Sequence, residues 1–186
     1  MGIGQLTRIA RNLFRFDVEL IKQEAIEQDR AFVTYYVVDL AAGATANIAI
    51  TNPTSDRSVE VLAIDYTTVF DGDFTIYDSF SSAPSGGAAL SPDSLLLDEN
   101  GAQTDTAMTV VSDATFTADG DPHFSRPTTA SGTGNDPAGS GGTFADPIIE
   151  PGRSNVIELA NTNSSSGRAS IGVQFAELDR VPSRLL

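Results

Sequence analysis

Five residues concentrate the chemistry this chain could offer: its single histidine, His123, and the aspartates of two Asp-Gly-Asp triplets, Asp71 and Asp73, Asp119 and Asp121. A nucleophilic triad needs a histidine beside an activated serine. His123 instead follows Pro122 in a long polar stretch, and the chain contains no Gly-x-Ser-x-Gly elbow, so an exposed loop histidine is the simpler reading. Aspartates are hard oxygen donors of the kind calcium takes, with help from backbone carbonyls. Neither triplet continues into the spaced carboxylates and closing Glu of a helix–loop–helix calcium site. Asp-Gly is also a common hairpin-turn pair. The four aspartates are therefore weak calcium candidates, and turn formation is the stronger reading. A carboxylate pair for glycoside hydrolysis carries no weight, since among 25 acidic residues some pair always lies at a working distance. Gly132, Gly134, Gly139, Gly141 and Gly142 are not followed by Lys-Ser/Thr, which removes a phosphate-binding loop. On these grounds the sequence assigns no catalytic residue and no cofactor.

The elements that would have to position any site are mainly β. From Pro151-Gly152 the chain reads as a hairpin, with arms at Ser154 to Ala160 and Arg168 to Leu178 around an Asn/Thr/Ser/Gly run suited to turns. The same layout occurs earlier: Gly43 leads into Ile48 and Ile50, Asn52-Pro53-Thr54-Ser55 turns, and Arg57 opens the next strand. Gly43 to Asn52 and Gly152 to Asn161 are each nine residues apart. Two such hairpins, one near each end, predict an antiparallel sandwich whose terminal portions lie together. Strands are expected near 44–51 and 58–70, and the second carries apolar residues on both parities. That pattern predicts cover on both faces, by the opposite sheet and by the N-terminal arm or another subunit. Asp71-Gly72-Asp73 should turn into a strand at 74–77 to form the next hairpin.

Beyond it, residues 79–94 read as a small-residue connection. A brief strand at 95–97, another at 107–111 and a short one near Phe116 follow. Residues 119–147 are the longest irregular stretch, anchored by Phe124 and Phe144 and either functional or mobile. The domain boundaries are an arm at 1–30, a β-sandwich domain at 31–180 and a tail at 181–186. The fold class is mainly β: an antiparallel, jelly-roll-like sandwich with a helical or extended N-terminal arm, an immunoglobulin-like sandwich being the alternative. In the arm, Leu6, Ile9, Leu13, Phe16 and Leu20 fall on one helical stripe. Residues 3–12 read as helix, while 13–28 fit helix or strand. The arm could dock on a neighbouring subunit or cover one end of its own domain.

Composition sets further bounds. The chain is long enough for one ordinary core, and with no cysteine it has neither disulfides nor thiolate metal sites. It holds 25 Asp plus Glu against 11 Lys plus Arg, a net charge of −14, and Lys22 is the one lysine. Such self-repulsion is screened in molar salt, where the Debye length falls to about 3 Å. A phosphate-binding face needs a basic surface, so nucleic acid and anionic membranes are disfavoured as partners. No run of 18 apolar residues and no secretory leader are expected.

From Phe32 to Leu178 the sequence resembles the β-sandwich structural proteins of tailed viruses, particularly those of haloarchaea. The resemblance is carried by PGRSNVIELANTNSSSGRASIGVQFAEL, its counterpart AGATANIAITNPTSDRSVEVLAIDY, and the acidic, lysine-poor composition. It implies a non-enzymatic virion component: a capsid decoration, turret, collar, tail or baseplate part that assembles with copies of itself and with other virion proteins. The arm and the strand at 58–70 would then contribute to subunit contacts. The competing expectation is a module that binds a host receptor or surface glycan through its long loops.

Overall fold

The computed structural model describes residues 25–26, 28–95, 105–128, 133–137 (backbone only) and 148–179. Strand-favouring β-branched and aromatic residues are frequent in β1 (Ala31–Leu40), β2 (Thr45–Thr51), β3 (Arg57–Thr68) and β4 (Gly72–Tyr77). Shorter strands follow: β5 (Phe80–Ser85), β6 (Ala88–Ala89), β7 (Asp93–Ser94), β8 (Thr109–Ser112), β9 (Thr115–Ala118), β10 (Phe124–Thr128), β11 (Thr133–Pro137) and β12 (Ile148–Ile149). β13 (Ser154–Asn161) and β14 (Gly167–Asp179) complete the chain.

One antiparallel sheet has the order β11-β3-β14-β1-β7, with β12 also on β3, and the other runs β10-β4-β13-β2-β8-β6. Side chains from both sheets meet in one core. Ile48, Ile50, Phe74 and Leu159 come from the second sheet, and Phe32, Val61, Tyr66, Ile171 and Phe175 from the first. Rings tie it together. Phe32 and Phe175 stack at 5.6 Å within one sheet, and Tyr66 and Phe74 stack at 4.7 Å across the two. The Arg126 guanidinium lies over the Tyr66 ring and donates to its hydroxyl at 2.6 Å.

Both expected hairpins prove to be corners. β2 and β3 belong to opposite sheets, and so do β13 and β14. The arms pair across the length of the chain instead: β2 with β13, and β3 with β14. Local turn chemistry is the same for a hairpin and a corner, so the sequence alone could not separate them. Likewise β3 and β4 do not form a hairpin. Gly72 lies in β4 rather than in a turn, where a Cβ would stand 1.9 Å from the carbonyl oxygen of Ala160.

The two corners are built alike. Gly43 and Gly152 both take φ of +73°, the left-handed region that glycine enters freely. The Gly43 amide donates to the Asn161 carbonyl, and the Gly152 amide donates to that of Asn52. The Asn161 side-chain amide is shared among the carbonyls of Leu40, Ala41 and Ser165 at 3.3, 3.1 and 2.9 Å. That of Asn52 donates to Ile149 and Arg57 at 3.0 and 2.8 Å, while its oxygen accepts from the Thr54 amide and hydroxyl. Leu40 and Ile149 each lie three residues before their glycine, so the two locks grip equivalent backbone.

The doubly apolar pattern of β3 also has a local cause. Gln174 pairs with Ala63 but Phe175 with Val61, which leaves Leu62 as an extra residue in a bulge. Parity switches there, so Val59 and Val61 before it and Ile64 and Tyr66 after it all face the same core. Leu62 itself points the other way, into a small cluster with Ala25, Ala31 and Ala176 that Ile26, Leu95 and Leu178 border.

The small-residue connection at 79–94 contains β5, β6 and β7, and the irregular stretch at 119–147 contributes β10 and β11 to the two sheets. Their backbone groups complete the edges of β4 and β3, a non-local gain invisible in composition. Most of the arm, residues 96–104, Phe144 and the tail at 181–186 lie outside the described residues.

Asn161→Ala removes donors from three carbonyls in a site closed to water. It should destabilise folding by about 2–3 kcal/mol, read by chemical denaturation, whereas Ser164→Ala on the exposed turn should stay within about 0.5 kcal/mol.

Candidate functional site

Alternation along β1 sends Phe32, Thr34 and Leu40 inward and leaves Tyr35 and Val37 outward, 59% and 52% exposed. On the same outer face Val69, just past β3, is 54% exposed. The Tyr35 ring lies across Gly172, its register partner on β14, where a Cβ would meet the ring at 2.6 Å. A side chain at that position would have to push the exposed ring aside. Beyond it, Val37, Thr67, Val69, Arg168, Ala169 and Ser170 line an open depression of about 230 Å³.

The outer face is thus divided. At its Ala31 end, Ala25 and Ile26 cover it; at its Val37 end nothing covers it among the described residues. Tyr35, Val37 and Val69 are thus exposed apolar side chains on one face.

The second outer face is covered differently. Phe80 on β5 and Phe116 on β9 pack edge to face at 5.7 Å, and Phe116 lies 5.2 Å from Tyr77. These rings border Ala49, Ala114 and Val156. Beside them a polar row crosses four strands in register, Asn47, Glu158, Thr75 and Ser125. Asn47 holds the following turn by donating to the Ala114 carbonyl and accepting from its amide. Burial pushes the Glu158 carboxyl above the ordinary range, and burial, then the nearby Glu158 charge, raise the Tyr77 phenol. Tyr36 on β1 is pushed up to about 12 by burial and then by its hydrogen bond to Asp113.

The residues that sequence chemistry singled out are not brought together. Asp71 and Asp73 flank the start of β4, while Asp119 and Asp121 lie beyond its far end, where the Asp119 amide donates to Ser79. Gly120 has φ of +82°, as its turn requires. Among the described residues no group of three or more His, Asp and Glu side chains is placed to hold a metal ion. His123 is in exposed backbone, but its Nδ1 lies 2.9 Å from the Asp78 carboxylate, so the ring is pinned rather than loose.

One buried carboxylate escaped the sequence reading altogether. Glu177 is 2% exposed and pairs with Arg57 at 2.6 Å. Its other oxygen accepts from the Thr106 hydroxyl and the Ala107 amide, fastening the segment before β8 to the end of β14. Two basic and acidic residues 120 positions apart leave no local signal of such a pair.

A carboxyl whose folded pKa is raised favours folding below the unfolded value, about 4.3 for Glu, and loses that contribution as pH rises through the folded pKa. Glu158→Gln should therefore be more stable than the parent near pH 7. The advantage should shrink to nothing below about pH 4, as followed by denaturation at each pH.

No protein-family profile and no curated protein sequence matches the chain.

Proposed function

We propose that this protein is a non-enzymatic structural component of a virus particle, a jelly-roll subunit that assembles with copies of itself on the capsid, vertex or tail of a haloarchaeal tailed virus. The observation that carries the reading is the strand order. Setting aside the short additions, β1, β14, β3 and β11 form one layer and β2, β13, β4 and β10 the other. First strand pairs with last, second with second-to-last, third with β11 and fourth with β10, an order that supports reading the sandwich as a jelly roll. Such a body offers two sheet faces and two ends for contacts with neighbours.

Charge supports the habitat. A net charge of −14 is costly in dilute buffer and screened in brine. Adjoining exposed apolar groups such as Tyr35, Val37 and Val69 fit a protein that spends its working life against another surface.

Light scattering in molar KCl or NaCl tests the proposal. A defined homo-oligomer that loosens and then unfolds as salt is lowered is expected, and a strictly monomeric species at high concentration, equally stable in dilute buffer, overturns it. Specific glycan binding by such a monomer would favour a receptor-binding module instead.

A further inference from the structure

The two Asp-Gly bonds of the chain, Asp71–Gly72 and Asp119–Gly120, lie in triplets of identical sequence. Such a bond has a reactivity of its own. With no Cβ on the glycine, its amide nitrogen can reach the aspartate side-chain carbon and close a succinimide ring. To do so the aspartate must turn about its soft backbone dihedrals, and the glycine amide must be free of any hydrogen bond. How the backbone is held therefore decides whether the same three residues react.

The fold holds the two triplets differently. Gly72 is buried in β4 and paired on both sides, with Asn161 of β13 and Thr128 of β10. The Asp71 carbonyl accepts from the amide and the hydroxyl of Thr162, each at 3.1 Å. The Ala160 carbonyl oxygen fills the space beside Gly72 where a Cβ would stand. Turning the Asp71 backbone means parting β4 from β13 at that end, an opening that costs free energy. Asp119 and Gly120 instead lie in the turn between β9 and β10, and both are exposed. Gly120 takes φ of +82°, with nothing within 4 Å of the place its Cβ would occupy. The Asp119 amide donates to Ser79, but among the described residues the Gly120 amide has no acceptor and the Asp119 carboxylate no donor.

We propose that Asp119 is a site of spontaneous backbone modification, converting to isoaspartate through a succinimide, while the fold protects Asp71 in the same sequence. The Gly120 nitrogen bonds to the side-chain carbon of the neutral Asp119 carboxyl; the carbon–hydroxyl bond breaks, and the hydroxyl leaves with the amide proton as one water. A second water then opens the ring. Attack at the side-chain carbonyl restores aspartate, and attack at the backbone carbonyl leaves the chain running through the side chain. The product adds a backbone carbon between two held points, the Asp119 amide on Ser79 and the His123 ring on Asp78. The inference stands apart from the virion role, because it concerns the chemistry of one turn.

The chain is aged in mildly acidic buffer at molar salt, folded in one arm and in denaturant in the other, and then digested for peptide mapping. Isoaspartate keeps the mass of aspartate and is told from it by retention and backbone fragmentation, while the succinimide is one water lighter. In the folded arm the Asp119 peptide should convert about tenfold or more faster than the Asp71 peptide. In the denatured arm the two should convert at similar rates. Asp119→Glu, on an exposed turn, should keep the fold and abolish the signal at that peptide. An Asp119 peptide that stays unconverted in the folded arm, or converts no faster than that of Asp71, overturns the proposal. So does an equally large difference between the two in denaturant, which would assign it to neighbouring sequence and not to the fold.

Discussion

The fold depends on two buried asparagines that hold its corners. A chain passing from one sheet to the other leaves backbone carbonyls at the bend with no strand partner, and such groups are costly when closed off from water. Asn52 and Asn161 supply the missing donors, each reaching the carbonyl three residues before the glycine of the opposite corner. Every lock therefore joins chain segments about a hundred residues apart. Between them, β2 and β13 pair along their length, with Ile48 opposite Ile157. The arrangement has a local two-fold character: each glycine lies five residues before its isoleucine and nine before its asparagine. The remaining strands build outward from that pair, β14 and β3 on one layer, β4 on the other.

Once the corners are set, the two outer faces take different roles. The face of the second sheet is closed by the rings of Tyr77, Phe80 and Phe116 and carries a polar row whose Glu158 is kept above its ordinary pKa by burial. The face of the first sheet is covered at one end only, where the bulge at Leu62 turns one apolar side chain outward under Ala25. Packing thus makes the two faces unlike: among the described residues one is closed by the chain's own loops, the other only at one end. One end of the first sheet is fastened by two ion pairs, Glu177 with Arg57 and Arg30 with Asp179.

Much of this was legible in the residues. The strands at β2, β3 and β13, the equal spacing of Gly43 to Asn52 and Gly152 to Asn161, and the anchoring of Phe124 all follow from local pattern, and Phe124 does pack edge on to Phe74 at 6.1 Å. What was not legible is pairing over distance. Asn52-Pro53-Thr54-Ser55 is a turn in either a hairpin or a corner, and only the position of β13 decides between them. Apolar residues on both parities of β3 suggest two covered faces until the one-residue bulge is known. For the candidate site the sequence offered histidine and aspartates, which are conspicuous by type. The candidate face carries Tyr35, Val37 and Val69, ordinary residues of a strand or its end, distinguished only by their exposure. Glu177 looked like any other surface acid on an acidic protein.

The central claim is that the two look-alike segments pair with each other rather than each folding back on itself. Nuclear Overhauser contacts among backbone protons in a labelled sample at high salt test it most directly. The account predicts cross-peaks linking residues 46–51 to 154–159, and 63–68 to 169–174. Cross-peaks running instead between 45–51 and 57–68, or between 154–161 and 167–179, would contradict it.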